Sequence, residues 1–179
     1  MNWFSADYHF NHKNIIEFCG RPFEDITEMN KAIKERHNSR VKRGDTVYFL
    51  GDFVFGASKI EIRRLIESLN GDFVFIEGNH DRKNKSKSML KKAEIEGFGK
   101  RIQLVHRPQD IDEGYDFYLC GHVHEHWRFK ENICNVGVDV WDFYPVHMKQ
   151  ILKAYKRWRK DGDNREGIRR ERSSGWAGL

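Results

Sequence analysis

Five short clusters in this chain carry side chains able to hold a metal ion: Asp7-Tyr8-His9, Gly51-Asp52, Gly78-Asn79-His80-Asp81, His106 and Gly121-His122-Val123-His124. In an extended segment, residues two apart project to one side, so Asp7 with His9, and His122 with His124, can each grip one ion. Any one cluster is weak evidence, because a lone histidine is more often a satisfied structural residue. Their shared position is stronger. Each follows at once, or within a residue or two, a short apolar run that reads as a strand.

Aspartate, histidine and asparagine without a thiolate suit borderline or hard divalent ions such as Mn, Fe, Zn, Ni or Co, and not a cysteine-rich structural zinc. The ligands are too many for one ion. Asp52, with two oxygens, can bridge a pair of ions about 3.5–4 Å apart, an arrangement that activates water and shields a phosphoryl group. The chemistry indicated is metal-assisted hydrolysis.

The elements that must position these residues are short runs at Trp3–Ala6, Val47–Leu50, Phe73–Ile76, Ile102–Val105, Phe117–Cys120 and Ile133–Val136, all read as buried strands. Helical spacing links Ile26, Met29, Ile33 and His37, with Asp25 and Glu28 placed as a capping box. It also links Ile62, Leu65, Ile66 and Leu69, closed by Asn70 and Gly71. A last helical run, Met148, Ile151, Leu152, Tyr155 and Trp158, has an apolar face to lay on the core. Early alternation of strand and helix followed by strands without helices predicts an α/β chain with two sheets, and ligands gathered beyond the carboxyl ends of the strands.

The 179 residues, 39% hydrophobic and 13% aromatic with three prolines, are enough for one globular domain with a core of its own. The N-terminus lacks the pattern of a signal peptide, and no window approaches the length of a membrane span, so a cytoplasmic protein with no membrane partner is expected. Cys19, Cys120 and Cys134 form no C-x-x-C pair and read as reduced packing residues. The net charge of +5 is concentrated in a tail from Tyr155 onward, with eight Lys or Arg against four Asp or Glu. A domain over residues 1–154 followed by a basic tail over 155–179 is expected, and the composition of that tail favours a solvated end over a nucleic-acid contact.

In order and type, the five clusters resemble the calcineurin-like metallophosphoesterase superfamily over residues 5 to about 145. SADYHFNHKNIIEFCGRPF and NVGVDVWDFYPV look more narrowly like a small group of bacterial and phage phosphoesterases within it. The resemblance implies a four-layer α/β/β/α sandwich of two mixed β-sheets flanked by helices. It assigns Asp7, His9 and His124 to one divalent ion, Asn79, His106 and His122 to a second, and Asp52 as the bridge, with manganese the first choice of metal. It makes His80 the catalytic residue, assisting a metal-bridging hydroxide, while the complete ligand set together with the nearby basic stretch points to phosphodiester bonds of nucleotides or nucleic acid as the target. A phosphomonoesterase or nucleotide pyrophosphatase is the alternative reading, and a non-catalytic scaffold of the same fold a third. Phe55 and Gly56 replace the acid and arginine of the protein phosphatase branch, which disfavours that activity and leaves open what orients His80. Asp81 is one candidate.

Substrate contacts are expected from Asn11, His12 and Arg21, where a helix beginning near Asn11 would present its N-terminus to a phosphate, and from Arg82 in the basic stretch DRKNKSKSMLKK. Local capping by Asn11 and local packing by His12 are equally good readings. Trp127, Phe129, Trp141, Phe143 and Tyr144 could stack on a base but are more often packing residues. His37, His126 and His147 read as structural.

Overall fold

The computed structural model describes residues 1–81 and 89–161. Arg82, the lysines through residue 87, and the tail beyond 161 lie outside the described residues. No helix among those described is long and apolar enough to cross a membrane.

The expected runs form two mixed sheets. The first has the order β3-β2-β1-β9, with β1 (Asn2–Ser5), β2 (Thr46–Leu50) and β3 (Asp72–Ile76) parallel and β9 (Val146–His147) antiparallel to β1. The second has the order β4-β5-β6-β8-β7. In it β5 (Lys100–Leu104), β6 (Phe117–Cys120) and β8 (Ile133–Asn135) are parallel, while β4 (Ala93–Gly97) and β7 (Phe129–Lys130) run antiparallel at the edges. Alternate residues of both sheets meet in one core: Phe4, Leu50 and Ile76 from the first, Ile102, Leu104, Phe117 and Leu119 from the second. β3 is less buried than its sequence suggests. As an edge strand it buries only Ile76 fully, with Phe73, Val74 and Phe75 half-covered.

Three helices cover the other face of the first sheet: α1 (Asn14–Phe18), α2 (Ile26–Arg40) and α3 (Lys59–Glu67), joined to it through Tyr8, Ile15, Met29, Ile33, Phe49 and Phe53. Asp25 caps α2 by accepting from the Thr27 and Glu28 amides, both at 2.8 Å. The expected box is only half made, because Glu28 reaches the Glu24 amide at 2.7 Å and not that of Asp25. The complete box belongs to α3, where Ser58 and Glu61 exchange bonds. α4 (Met148–Asp161) follows β9 and lays Met148, Ile151, Tyr155 and Trp158 into the intersheet core, so the last helix continues past the boundary expected at residue 154. On the second sheet, Tyr118, Cys120 and Ile133 pack under Ile111, Tyr115 and Trp127.

The helix expected near Asn11 is absent there. Asn11 sits at φ 66°, and its side chain accepts from Asn30 Nδ2 at 2.8 Å. α1 begins at Asn14, has five residues and lacks a side-chain cap. So short a helix has little aligned dipole to offer an anion.

Candidate metal centre

The parallel strands of both sheets aim their carboxyl ends at the same place. β1 leads into Asp7 and His9, β2 into Asp52 and β3 into Asn79 and His80, while β5 leads into His106 and β6 into His122 and His124. Backbone bonds lock the loops together: the Asp7 amide donates to the Gly51 carbonyl and the His9 amide to the Asp52 carbonyl, each at 3.0 Å, and the Gly121 amide to the His106 carbonyl at 3.0 Å.

These loops are not extended, contrary to the expectation for the D-x-H and H-x-H spacings. Asp7, His9, Asp52, His122 and His124 all have positive φ, from 45° to 71°. Left-handed backbone at non-glycine residues costs free energy and persists where the surroundings over-determine it. One result is that His122 and His124 part company. His124 groups with Asp7 and His9, and His122 with Asp52 and His106, each set with ligand atoms within 4.8 Å of one another. Asn79 joins the second set, its Oδ1 lying 2.9 Å from His106 Nε2.

Each carboxylate is half used. Asp7 Oδ2 accepts from the His122 amide at 2.9 Å and Asp52 Oδ1 from the His80 amide at 2.9 Å. Asp7 Oδ1, Asp52 Oδ2 and both ring nitrogens of His9 are buried without a hydrogen-bond partner. Asp52 Oδ2 lies between two imidazoles, 3.6 Å from His9 Nε2 and 3.4 Å from His106 Nε2. Buried polar atoms without partners are costly, and a cation among them would satisfy several at once. The donor set therefore fits divalent metal ions, with Asp7, His9 and His124 forming one candidate group and Asp52, His106 and His122 another.

The protein's own charges show the same demand for a cation. Burial would raise the Asp52 carboxyl, but the nearby His106 and His9 imidazoles outweigh it and hold it below the ordinary range. Burial lifts Asp7 to about 6. His106, despite burial, is raised to about 9 by Asp52 and Asp7, and His124 to about 11, chiefly through Asp139. His9 is pushed well down by burial, which keeps its imidazole neutral and able to ligate.

Neighbouring groups set the ligand orientations. The Nδ1–H of His106 donates to the Leu50 carbonyl at 2.7 Å, which turns Nε2 toward Asp52. His124 Nδ1 lies 3.2 Å from Asp139 Oδ2, leaving Nε2 as the nitrogen for an ion. Asn135 Nδ2 donates to the carbonyls of His124 and Trp127 at 2.8 and 2.9 Å. Asp139 and Asn135 had no sequence assignment, although both lie in the NVGVDVWDFYPV stretch. Cys19 also lies near His124 and Asp139, but burial raises its thiol above the ordinary value, so it stays neutral there.

Gly78 admits the close approach that this packing needs. Its carbonyl also opens the turn at the end of β3, accepting from the Asp81 amide at 3.3 Å, without a left-handed φ. A Cβ there would fall 2.1 Å from Asp52 Oδ1 and 2.3 Å from the Asp52 amide nitrogen. At Gly51, with φ 88°, a Cβ would meet His106 Nδ1 at 2.3 Å.

A profile of the calcineurin-like phosphoesterase superfamily domain matches residues 6–145. The chain belongs to that superfamily. Among curated proteins, an uncharacterized protein of Methanocaldococcus jannaschii is 37% identical over 165 residues, covering 85% of this chain and 89% of its own. The gene 66 protein of Mycobacterium phage L5 is 35% identical over 81 residues, 44% of this chain and 39% of its own. Among solved structures, a protein of unknown function from Aquifex aeolicus matches with TM-score 0.67 and 29% identity, over 86% of this chain and 98% of that one. Membership makes the protein, in general terms, a metal-dependent phosphoesterase of two mixed sheets flanked by helices.

Within this superfamily site, His80 is exposed at the rim, its ring centroid 5.4 Å from that of His9. Asp81 does not orient it. That carboxylate is buried and accepts from the backbone amides of Asp52 (2.7 Å), Gly78 (3.0 Å) and Phe53 (3.2 Å), tying the second and third loops together. Arg21 is corrected outright as a substrate contact: it is buried, paired with Asp139, and donates to the carbonyls of Asp7 and Tyr8 at 2.7 and 3.0 Å. Asn11 is bound to α2 through Asn30, and His12 stands beside His9 and His80. The histidine read as structural at position 37 is fully buried, with Nδ1 2.8 Å from the Tyr8 hydroxyl and Nε2 2.8 Å from the Asn70 carbonyl. A cleft of about 450 Å³ opens beside Asn79 and His106, lined in part by Lys91, Lys92 and Arg107.

Proposed function

We propose that the protein is a dinuclear metal-dependent phosphodiesterase acting on nucleotides or nucleic acid. Asp7, His9 and His124 hold one divalent ion, Asn79, His106 and His122 the other, and Asp52 both, with manganese the preferred metal. The observation that carries the reading is the unpartnered Asp52 Oδ2 between the His9 and His106 imidazoles. Two ions held there would supply an activated water and neutralise phosphoryl oxygens.

His80 remains outside both ligand sets, with its backbone N–H on Asp52 Oδ1 and its ring free at the rim. From there it donates a hydrogen bond or proton to the phosphate or the departing oxygen as charge develops. The cleft past Asn79, with Lys91, Lys92 and Arg107, gives a second phosphate substituent a place with positive charge and so favours a diester over a monoester.

Stripping the protein of metal, reloading it with Mn, and comparing bis(p-nitrophenyl) phosphate with p-nitrophenyl phosphate tests the reading. Turnover of the diester with two equivalents of metal is expected. Turnover of the monoester alone would leave the phosphomonoesterase alternative, and turnover of no phosphate ester, with no metal uptake, would favour a scaffold.

A further inference from the structure

Phe18 and Phe55 are 68% and 46% exposed, and both stand at the mouth of the metal centre. His12 lies between them, its ring centroid 4.4 Å from Phe55 and 6.3 Å from Phe18. The row continues into the site: His12 is 5.5 Å from His9 and 6.1 Å from His80, and Phe55 is 6.3 Å from His80. Four rings thus lead outward from a ligand position to solvent.

The exposure of Phe55 is not the looseness of a free loop. Phe53 and Val54, just before it, are 1% and 3% exposed, and the Phe55 amide donates to the Phe10 carbonyl at 2.8 Å. A backbone this well held could have carried a polar residue outward, and instead it presents a phenyl ring to water. Phe18 is similar: its helix buries Ile15 and the following Cys19, and leaves Phe18 outside beside His12. Contiguous exposed aromatic surface next to a polar site is the mark of a ligand-binding wall. The aromatics that the sequence offered for stacking are occupied elsewhere. Phe129 and Phe143 are buried, and the Trp141 indole N–H donates to the Asn135 carbonyl at 2.8 Å.

We propose that Phe18, His12 and Phe55 form a subsite for the nucleobase of a nucleoside phosphate ester whose phosphorus sits at the metal centre. This rests on the phosphoesterase reading and names the substrate group it recognises. Stacking tolerates any base because every base presents a π-face, so the subsite selects a planar aromatic group without reading its edges.

Binding of two phosphonates to the Mn-loaded full chain tests this without turnover, since neither has a hydrolysable ester bond at phosphorus: the 5′-methylenephosphonate of 5′-deoxyadenosine, and methylphosphonate. Calorimetry is expected to give the nucleoside compound an affinity at least about tenfold higher. Phe55→Ala and Phe18→Ala should each remove much of that advantage while leaving methylphosphonate binding unchanged, and Phe55→Trp should keep it. Equal binding of the two phosphonates by the wild type, or an undiminished advantage in both alanine variants, overturns the subsite. So does a Phe55→Leu variant that binds the nucleoside compound as well as Phe55→Trp does, because apolar cover alone would then suffice. A protein that binds the nucleoside phosphonate preferentially but hydrolyses no phosphate ester would keep the subsite and lose the phosphodiesterase assignment.

Discussion

Arg21 lies against Asp139 with its Nε 2.9 Å from one carboxylate oxygen and Nη2 3.0 Å from the other, and the same guanidinium reaches the carbonyls of Asp7 and Tyr8. One buried fork therefore fixes the backbone of a ligand loop and the carboxylate that steadies His124. The pair lowers Asp139 below the ordinary range against the raising effect of burial, so the anion persists in the interior.

Replacing Arg21 by Met should destabilise the protein by about 3–5 kcal/mol, because it takes the guanidinium from a buried carboxylate and from the Asp7 and Tyr8 carbonyls. Arg21→Lys should recover only part, since an ammonium cannot make the paired contact. Urea unfolding of both variants measures this. Unchanged stability with a raised KM would instead mark Arg21 as a substrate contact.

Asp81→Ala leaves the amides of Asp52, Phe53 and Gly78 without their acceptor. At about 1–3 kcal/mol for each buried group left unsatisfied, a loss of roughly 3 kcal/mol or more is expected, with weaker metal retention. Denaturation and metal analysis test it together. Full metal content and full stability would show that the two loops do not depend on this carboxylate.

His80→Ala should lower kcat by about 10²-fold or more with metal content unchanged, as for a group acting mainly in the transition state. The substitution retains the backbone N–H that holds Asp52. Loss of metal on this substitution would make His80 part of the ligand scaffold.

Burial lowers His37 from 6.5 to about 4, with the Asn70 carbonyl opposing the shift only partly. Between those values the unfolded chain takes up a proton that the folded chain refuses. Its contribution to stability is therefore complete above pH 6.5 and is lost as pH falls toward 4, by up to roughly 3 kcal/mol. The urea midpoint of the wild type should fall over this range more steeply than that of His37→Gln. Parallel pH profiles would place the sensitivity elsewhere.

Strand positions and the polar residues ending them were legible because a buried run must stop where its backbone reaches solvent or a site, and that boundary is written in residue type. Arg21 was misread because its partner lies 118 residues away, beyond any local pattern. Asp139 and Asn135 act through other ligands and carry no spacing signature of their own. Left-handed φ at Asp7, His9, Asp52, His122 and His124 was equally hidden, since none of these is a glycine and the strain is borne by tertiary contacts. The α3 capping box of Ser58 and Glu61 went unread, although its S-x-x-E spacing is a sequence signature.

Asp7, His9, Asp52 and Asn79 issue from the first sheet, and His106, His122 and His124 from the second. An ion bound by such a set bridges two halves that, among the described residues, are also joined by the isolated bridges from Ala6 to Gly137 and from Ile76 to Leu90. Ligand occupancy and the docking of the sheets are then one linked equilibrium: at a free-metal concentration a hundredfold above Kd, the folded state gains about 2.7 kcal/mol. A chelator should accordingly lower the melting temperature of the entire domain, with both sheets losing structure together.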